Sequence, residues 1–176
     1  MPGIQKARIS KMTTSPLFET LELPNGTFLK NRLAKAAMEE SLAAYGQLPG
    51  SRLLTLYRRW AKGGAGLLIT GNVMISPDAL SGPASVVLQE GTDLAPFRQW
   101  AKAGCSNGAQ FWMQSNHPGR QVLAALGEEA VSASDVAVEI PGMSQNFPEP
   151  RALTESEILA LVERFATTAE LAEKSG

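Results

Sequence analysis

Cysteine and histidine are nearly absent from this chain, and each shortage excludes a kind of chemistry. Among 176 residues there is one cysteine, Cys105, and one histidine, His117. A single cysteine cannot form a disulfide within the chain, and a cysteine-based zinc cluster needs several. No second histidine exists and no carboxylates stand at the spacing of metal ligands, so no metal site is predicted. Cys105 has no recognisable base nearby and is interpreted as a small residue near a helix end.

An excess of charge of one sign is also lacking. The chain has 16 basic and 17 acidic residues, a formal net charge of -1, and no long run of either sign. A nucleic-acid-binding protein carries a basic face, so nucleic acid is not an expected partner. No apolar run approaches the roughly 18 to 20 residues of a membrane helix, and the N-terminus has no apolar segment typical of a secretory signal. A soluble cytoplasmic protein without a membrane partner is predicted.

Apolar residues are plentiful, at 44% of the chain, which is ample for a folded core. Residues 1–16 predict a loose leader, and residues 17–176 are interpreted as one segment of a domain. Asn25 and Gly26 separate two runs in which apolar residues alternate with polar ones. This pattern is typical of a β-hairpin, because both turn residues tolerate positive φ.

Three short apolar runs after the hairpin predict strands. They cover residues 33–38, 64–75 and 109–114. The second run is almost continuously apolar, as expected of a strand that is covered on both faces. A loop of about 30 residues, rich in Gly, Pro and Ser, follows the third run, and loops of that length in compact domains are usually functional.

Each predicted strand precedes a segment with apolar residues at helical spacing. The first helix is predicted over residues 51–64, and the second is predicted to begin with Thr92 as its N-cap. The third begins with a capping box formed by Thr154 and Glu157. Its buried stripe is predicted to comprise Ile158, Leu161, Val162, Phe165 and Ala169.

Alternation of strands and helices predicts a parallel sheet, either doubly wound or part of a (βα)8 barrel. The first strand–helix loop lacks the G-x-G-x-x-G pattern, which weakens the hypothesis of a dinucleotide-binding module. The hairpin before the first strand and the polar residues at successive strand ends favour the barrel. The predicted fold class is therefore α/β, a partial (βα)8 TIM barrel with an N-terminal β-hairpin followed by three βα units.

Barrel enzymes place their chemistry at the carboxyl ends of the strands, and here two of those ends carry carboxamides, Asn72 and Gln114. A carboxamide both donates and accepts hydrogen bonds, and small residues such as Ala36 and Ala37 let a backbone approach a flat ring. The pattern indicates either a planar heterocyclic ligand or ordinary loop polarity.

The charged groups near these strand ends leave alternatives open. His117 is either a catalytic acid or base, or an anchor for the long loop that follows it. The adjacent carboxylates Glu39 and Glu40 are expected to point in different directions, so paired acid catalysis is not predicted.

Four motifs in order resemble the Old Yellow Enzyme family of NADH:flavin oxidoreductases, over residues 17–176. They are LKNRLAKAAM, YRRWAKGGAGLLITGNVM, WMQSNHPGRQ and PRALTESEI. The resemblance implies a barrel that holds FMN noncovalently across its strand ends. Members of this family pass hydride from NADH or NADPH, through the flavin, to an electron-poor small-molecule acceptor such as an alkene.

The same resemblance implies roles for individual residues. Ala36, Ala37 and Met38 would lie along the flavin ring, Asn72 near its carbonyl edge, and Gln114 would form hydrogen bonds with its pyrimidine part. Glu39 departs from the family pattern, in which Thr or Cys is typical. An ionised glutamate cannot donate a hydrogen bond to the ring, so its role stays open.

The resemblance further implies that the acceptor-binding pair, the catalytic residues and the phosphate-binding arginine lie beyond Gly176. The chain is therefore interpreted as truncated and is expected to be inactive in isolation. The alternative is a noncatalytic half-barrel that needs self-association, or a complementary C-terminal half, to cover its open sheet edge. A small Rossmann-like binding module remains a weaker alternative. The acceptor, and the choice between NADH and NADPH, are left open.

Overall fold

The computed structural model describes residues 15–176. The predicted loose leader, residues 1–16, overlaps this range only at its last two residues and otherwise lies outside it. Within the described range no helix is both long and apolar enough to cross a lipid bilayer.

The predicted hairpin is confirmed, although its strands are short. Strands β1 (Leu21–Glu22) and β2 (Phe28–Leu29) pair in antiparallel register. The turn between them is stabilised by Asn25, whose Oδ1 accepts a hydrogen bond from the backbone N–H of Thr27 at 3.1 Å. Gly26 has a φ of 81°, a left-handed conformation that glycine adopts without a steric cost.

The main sheet is parallel and has four strands: β3 (Ala34–Lys35), β4 (Leu67–Met74), β5 (Val86–Val87) and β6 (Gln110–Asn116). Strand β6 pairs along one edge of β4 from its first residue to its last. The opposite edge is shared, since β3 pairs with the start of β4 and β5 pairs with its end. A stretch of that edge, between the two short strands, has no strand partner within the described residues.

A β-bulge interrupts the pairing of β4 with β6. Ile69 pairs with Trp112 and Asn72 pairs with Gln114, so two residues of β4 stand opposite one residue of β6. An extra residue of this kind shifts the side on which later side chains point.

Helices α1 (Ser51–Lys62) and α2 (Ala95–Gly104) cover one face of this sheet. In α1, Leu53, Tyr57 and Ala61 are fully buried at four-residue spacing, which places them on one face of the helix. Tyr57 also belongs to an aromatic cluster (Tyr57, Trp100 and Phe111). The rings of this cluster meet edge to face, with centroids 5.2 to 5.6 Å apart.

The predicted start of α2 was wrong. The helix begins at Ala95, with Leu94 at the N-cap position, and not after a cap by Thr92. The Thr92 hydroxyl instead accepts a hydrogen bond from the backbone N–H of Gln89 at 3.1 Å, which closes the preceding turn. A proline in the first turn, Pro96, has a φ suited to a helix start and accounts for the later beginning.

Helix α3 (Glu155–Ser175) begins with the predicted capping box. Thr154 Oγ1 accepts from the backbone N–H of Glu157 at 3.3 Å, and a Glu157 carboxylate oxygen accepts from the backbone N–H of Thr154 at 2.7 Å. Further along the helix, the Thr168 hydroxyl donates to the carbonyl oxygen of Leu88 at 2.8 Å, which ties α3 to the end of the sheet.

The predicted buried stripe of α3 was wrong in part. Ile158 and Val162 are 41% and 56% exposed, and Ala169 is also exposed, whereas Leu161 and Phe165 are half-buried. The helix carries two neighbouring apolar rows, and only one of them packs against the rest of the described chain. Hydrophobic periodicity identifies both rows but cannot say which one meets the sheet.

The long loop after β6 contains more structure than the sequence predicted. Strands β7 (Val131–Ser132) and β8 (Arg151–Ala152) pair in parallel and close the loop just before α3. Arg151 also forms ion pairs with Glu129 and Glu157, which link the loop to the first turn of that helix.

Candidate functional site

Two of the predicted site residues lie opposite each other at the carboxyl ends of neighbouring strands. Asn72 of β4 is in register with Gln114 of β6. The Gln114 amide N–H donates to Asn72 Oδ1, and the Asn72 amide donates to Glu39 Oε2 at 2.7 Å. The structure therefore brings Asn72, Gln114 and Glu39 into one hydrogen-bonded row (the carboxamide row), while their role towards a ligand stays a prediction.

The other predicted site residues, Ala36, Ala37 and Met38, follow β3 directly. Ala36 and Met38 are exposed and Ala37 is half-buried. The predicted strand over 33–38 is regular only at Ala34–Lys35, so these three residues continue past its end. Their segment still runs against β4, because a side chain added at Gly71 would collide with the backbone oxygen of Met38.

The β-bulge decides which side Asn72 faces. Leu68 and Val73 both belong to the core beneath the helices, although regular alternation would place them on opposite sides of the sheet. The extra residue at Thr70–Gly71 resolves this conflict. It turns Asn72 away from the helices and towards the side on which Gln114 lies.

The adjacent carboxylates diverge, as predicted. Glu39 is exposed and accepts hydrogen bonds from Asn72 and from the Ser81 hydroxyl, the latter at 2.8 Å. Glu40 turns the opposite way, and its side chain is only 7% exposed. Glu39 thus belongs to the carboxamide row, and Glu40 lies beneath the strands.

A buried ion-pair cluster (Lys35, Glu40 and Tyr57) lies under the carboxamide row and was not predicted from the sequence. Lys35 Nζ stands 3.5 Å from Glu40 Oε1, and the lysine side chain is 9% exposed. The Tyr57 hydroxyl donates to the same carboxylate oxygen. The one available signal was a lysine inside the apolar run LAKAAM, where a charge is costly unless it is paired.

Burial and charge shift the pKa values within this cluster. Burial lowers the pKa of Lys35, and the neighbouring Glu40 carboxylate opposes that shift without cancelling it. Burial also raises the pKa of Tyr57, and its hydrogen bond and charge interaction with Glu40 raise it further. The Lys35 ammonium lies 4.5 Å from the centroid of the Trp60 ring, a favourable cation–π geometry.

Raising the pH above about 10.5 is expected to destabilise the wild-type chain more steeply than a Tyr57→Phe variant. The pKa of Tyr57 is raised from 10.0 on folding, so its stabilising effect is complete below pH 10.0 and is lost above it. The lowered pKa of Lys35 acts the opposite way, because its penalty is relieved as the pH rises to 10.5. Urea unfolding at a series of alkaline pH values measures how steeply the free energy of unfolding falls with pH in each protein. Equal slopes in the wild type and in Tyr57→Phe would contradict this assignment.

His117 lies apart from the carboxamide row, at a cavity of about 430 Å³ whose lining includes Asp78 and Arg164. Its Nδ1 accepts a hydrogen bond from the backbone N–H of Gly119 at 3.1 Å. Burial lowers the pKa of His117, Asp78 opposes this shift and Arg164 adds to it. Of the two roles considered for His117, this hydrogen bond supports the anchor of the long loop.

These features define a class: the first part of a parallel βα barrel whose strand ends present carboxamides and small residues. The model of the NADH:flavin oxidoreductase / NADH oxidase family matches residues 16–176. The chain belongs to that family, and the resemblance to the Old Yellow Enzyme family is confirmed.

Two relatives are similar to this chain but longer. An NADH-dependent flavin oxidoreductase of Hypocrea jecorina is 34% identical over 167 residues, covering 86% of this chain and 42% of the relative. An NADH oxidase of Thermoanaerobacter brockii is 31% identical over 144 residues, covering 80% of this chain and 21% of the relative. This chain therefore spans less than half the length of these curated relatives.

Solved structures confirm the fold. Morphinone reductase in complex with tetrahydroNAD is similar with a TM-score of 0.79 at 24% identity, over 93% of this chain and 47% of that one. A 2-naphthoyl-CoA reductase gives a TM-score of 0.83 at 20% identity, over 92% of this chain and 26% of that one. At these identities the likeness concerns the fold alone. The predicted α/β partial (βα)8 barrel is confirmed.

Proposed function

We propose that this chain forms the flavin-facing first part of an FMN-dependent oxidoreductase of the ene-reductase type. The reductant is NADH or NADPH, and the acceptor is an electron-poor small molecule such as an activated alkene. One observation carries the proposal: in a chain of this family, Asn72 and Gln114 meet at adjacent strand ends. We place the protein in the cytoplasm, where both reductants are supplied.

The residues at the strand ends suit a flavin ring. The pyrimidine part of a flavin presents alternating acceptors and a donor, which a carboxamide such as that of Gln114 can match. Ala36 is small and exposed, so a flat ring can approach the backbone beside it, and Met38 offers an apolar surface. When bound, FMN supplies the hydride-accepting and hydride-donating chemistry, while these side chains hold and orient the ring.

Glu39 need not oppose this proposal. Its carboxylate oxygen already accepts hydrogen bonds from Asn72 and Ser81. It can therefore act by fixing the orientation of the Asn72 carboxamide, without donating a hydrogen bond to the ring.

We infer the partner required for activity from the surfaces that remain uncovered. Within the described residues β6 pairs only with β4 in the main sheet, and the exposed row of α3 includes Ile158 and Val162. An unpaired parallel edge next to an apolar helix face favours an interface with a C-terminal half of the barrel. A second candidate function is therefore a noncatalytic half-barrel that needs this half, or a second copy of the chain, to cover both surfaces.

Quenching of flavin fluorescence on titration with the chain tests the proposal. Riboflavin is expected to bind as tightly as FMN, because the side chains that meet at the described strand ends are carboxamides and one carboxylate, which do not attract a phosphate. Gln114→Leu is expected to weaken binding by about tenfold, the value of roughly one hydrogen bond to a polar ring.

The matched control for this titration is Gln145→Leu. The Gln145 carboxamide is exposed, and its amide donates a hydrogen bond to the carbonyl of Gly142 in the long loop. Equal weakening by both substitutions would remove Gln114 from the site. Absence of quenching by the wild-type chain, followed by quenching once a C-terminal half is supplied, would favour the second candidate function.

A further inference from the structure

Two backbone groups of β4 face the stretch of edge that has no strand partner. They are the carbonyl of Ile69 and the N–H of Gly71, which lie between the residues paired with β3 and those paired with β5. Lys35 Nζ donates to the Ile69 carbonyl oxygen at 2.6 Å, and Glu40 Oε1 accepts from the Gly71 N–H at 3.1 Å. Side chains thus take the place of a strand at this point of the sheet.

Tyr57 completes this arrangement from α1. Its hydroxyl lies 3.2 Å from the Gly71 nitrogen, so that N–H is shared between the phenol oxygen and the Glu40 carboxylate. The same hydroxyl is 3.3 Å from Lys35 Nζ. All three members of the ion-pair cluster therefore converge on a short stretch of β4 backbone.

Stability alone is a poor explanation for such a cluster. Removing a lysine and a glutamate from water is costly, and apolar residues of similar volume often replace a buried ion pair without loss of stability. The location of the backbone groups that hydrogen-bond to the cluster is more specific. These groups lie on either side of Thr70, at the β-bulge that turns Asn72 towards Gln114.

The opposite edge of the bulge is held as well. Thr70 Oγ1 accepts a hydrogen bond from the backbone N–H of Gln114 at 2.9 Å. A side chain therefore satisfies a backbone group on each edge of β4 where regular pairing fails. This double attachment is what a bulge needs to keep one geometry.

We propose that the ion-pair cluster is a positioning device: by holding the backbone of Ile69 and Gly71 in the bulge, it fixes Asn72 on the side of Gln114. Lys35, Glu40 and Tyr57 then act on a bound ring only through Asn72. The inference rests on the proposed function, since it takes Asn72 as a flavin contact.

The test separates positioning from stability with two variants of the full chain. Glu40→Leu alone is expected to lower the unfolding midpoint, because it leaves Lys35 buried without its partner. The double variant Lys35→Met/Glu40→Leu is expected to recover most of that loss. Even so, the Gly71 amide should exchange with solvent at least about tenfold faster than in the wild type, and flavin affinity should fall about tenfold.

The matched control is Lys174→Met/Glu170→Leu, which removes an exposed lysine–glutamate pair from α3. It is expected to change neither Gly71 exchange nor flavin affinity. A merely structural cluster predicts that exchange and affinity return to wild-type values together with the midpoint, and that result would overturn the inference.

If the double variant does not fold, Tyr57→Phe is used instead. Amide exchange is then expected to be faster at Gly71 but not at Leu68. Unchanged exchange at Gly71 would contradict the positioning role of the ion-pair cluster. If the wild-type chain binds flavin neither alone nor together with a C-terminal half, the proposed function fails. The positioning inference is then tested by amide exchange at Gly71 alone.

Discussion

Gly71→Ala is expected to destabilise the chain by about 1 to 3 kcal/mol or more and to abolish flavin binding at the strand ends. A Cβ at this position would lie within 3.0 Å of the backbone oxygen of Met38 and of a Glu40 carboxylate oxygen. Neither neighbour can move away freely, because one is backbone and the other is held in the ion-pair cluster. Urea unfolding and flavin fluorescence measure the two losses.

Gly82→Ala provides the matched control. Nothing lies within 4 Å of a Cβ built at Gly82, and its φ lies outside the left-handed region. Its substitution is therefore expected to change stability by well under about 1 kcal/mol. If Gly71→Ala is no more harmful than Gly82→Ala, the close approach of the Met38 segment to β4 is wrong.

The elements that could be predicted from sequence are those determined by neighbouring residues. The capping box of Thr154 and Glu157 is local chemistry, and it marks the start of α3 correctly. The alternation of strands and helices likewise depends on residues within each segment, and it led to the correct fold class. The position of Asn72 and Gln114 at adjacent strand ends followed from that fold class, since parallel strands end at one edge.

The β-bulge and the ion-pair cluster could not be predicted in the same way. Period-two alternation from Leu68 places Asn72 among the helices, and only the extra residue at Thr70–Gly71 reverses this. Glu40 is close to Lys35 in sequence, but its other partners, Tyr57 and Ile69, lie in α1 and β4, so its role depends on tertiary packing. A charged residue in an apolar run signals a buried partner, but it does not identify that partner.

Very short strands were missed for a related reason. Strand β5, Val86–Val87, lies in a stretch rich in Gly, Pro and Ser that indicates a loop. Its pairing is determined by the edge of β4 at Val73 and Met74, and not by its own sequence. The exposed row of α3 has the same explanation. The sequence of the helix does not reveal which of its apolar rows will pack against the rest of the protein.

Trp100→Ala is expected to cost about 3 to 5 kcal/mol, because it removes the largest buried side chain of the core. Trp100 is 1% exposed, and its ring meets those of Tyr57 and Phe111 edge to face. Its indole N–H is buried and has no hydrogen-bond partner among the described residues. Trp100→Phe keeps an aromatic ring and removes that unpaired donor, so its cost is expected to be below about 1.5 kcal/mol.

The same substitutions report on the site, because Tyr57 belongs both to the aromatic cluster and to the ion-pair cluster. Loss of packing around its ring in Trp100→Ala is expected to speed Gly71 amide exchange, whereas Trp100→Phe should leave that exchange near its wild-type rate. Trp112→Ala, at a partly exposed tryptophan of β6, is the matched control for stability and should cost less than half as much. Urea unfolding with amide exchange measures both effects. Equal losses in Trp100→Phe and Trp100→Ala would contradict the view that ring packing at this position supports the bulge at Gly71.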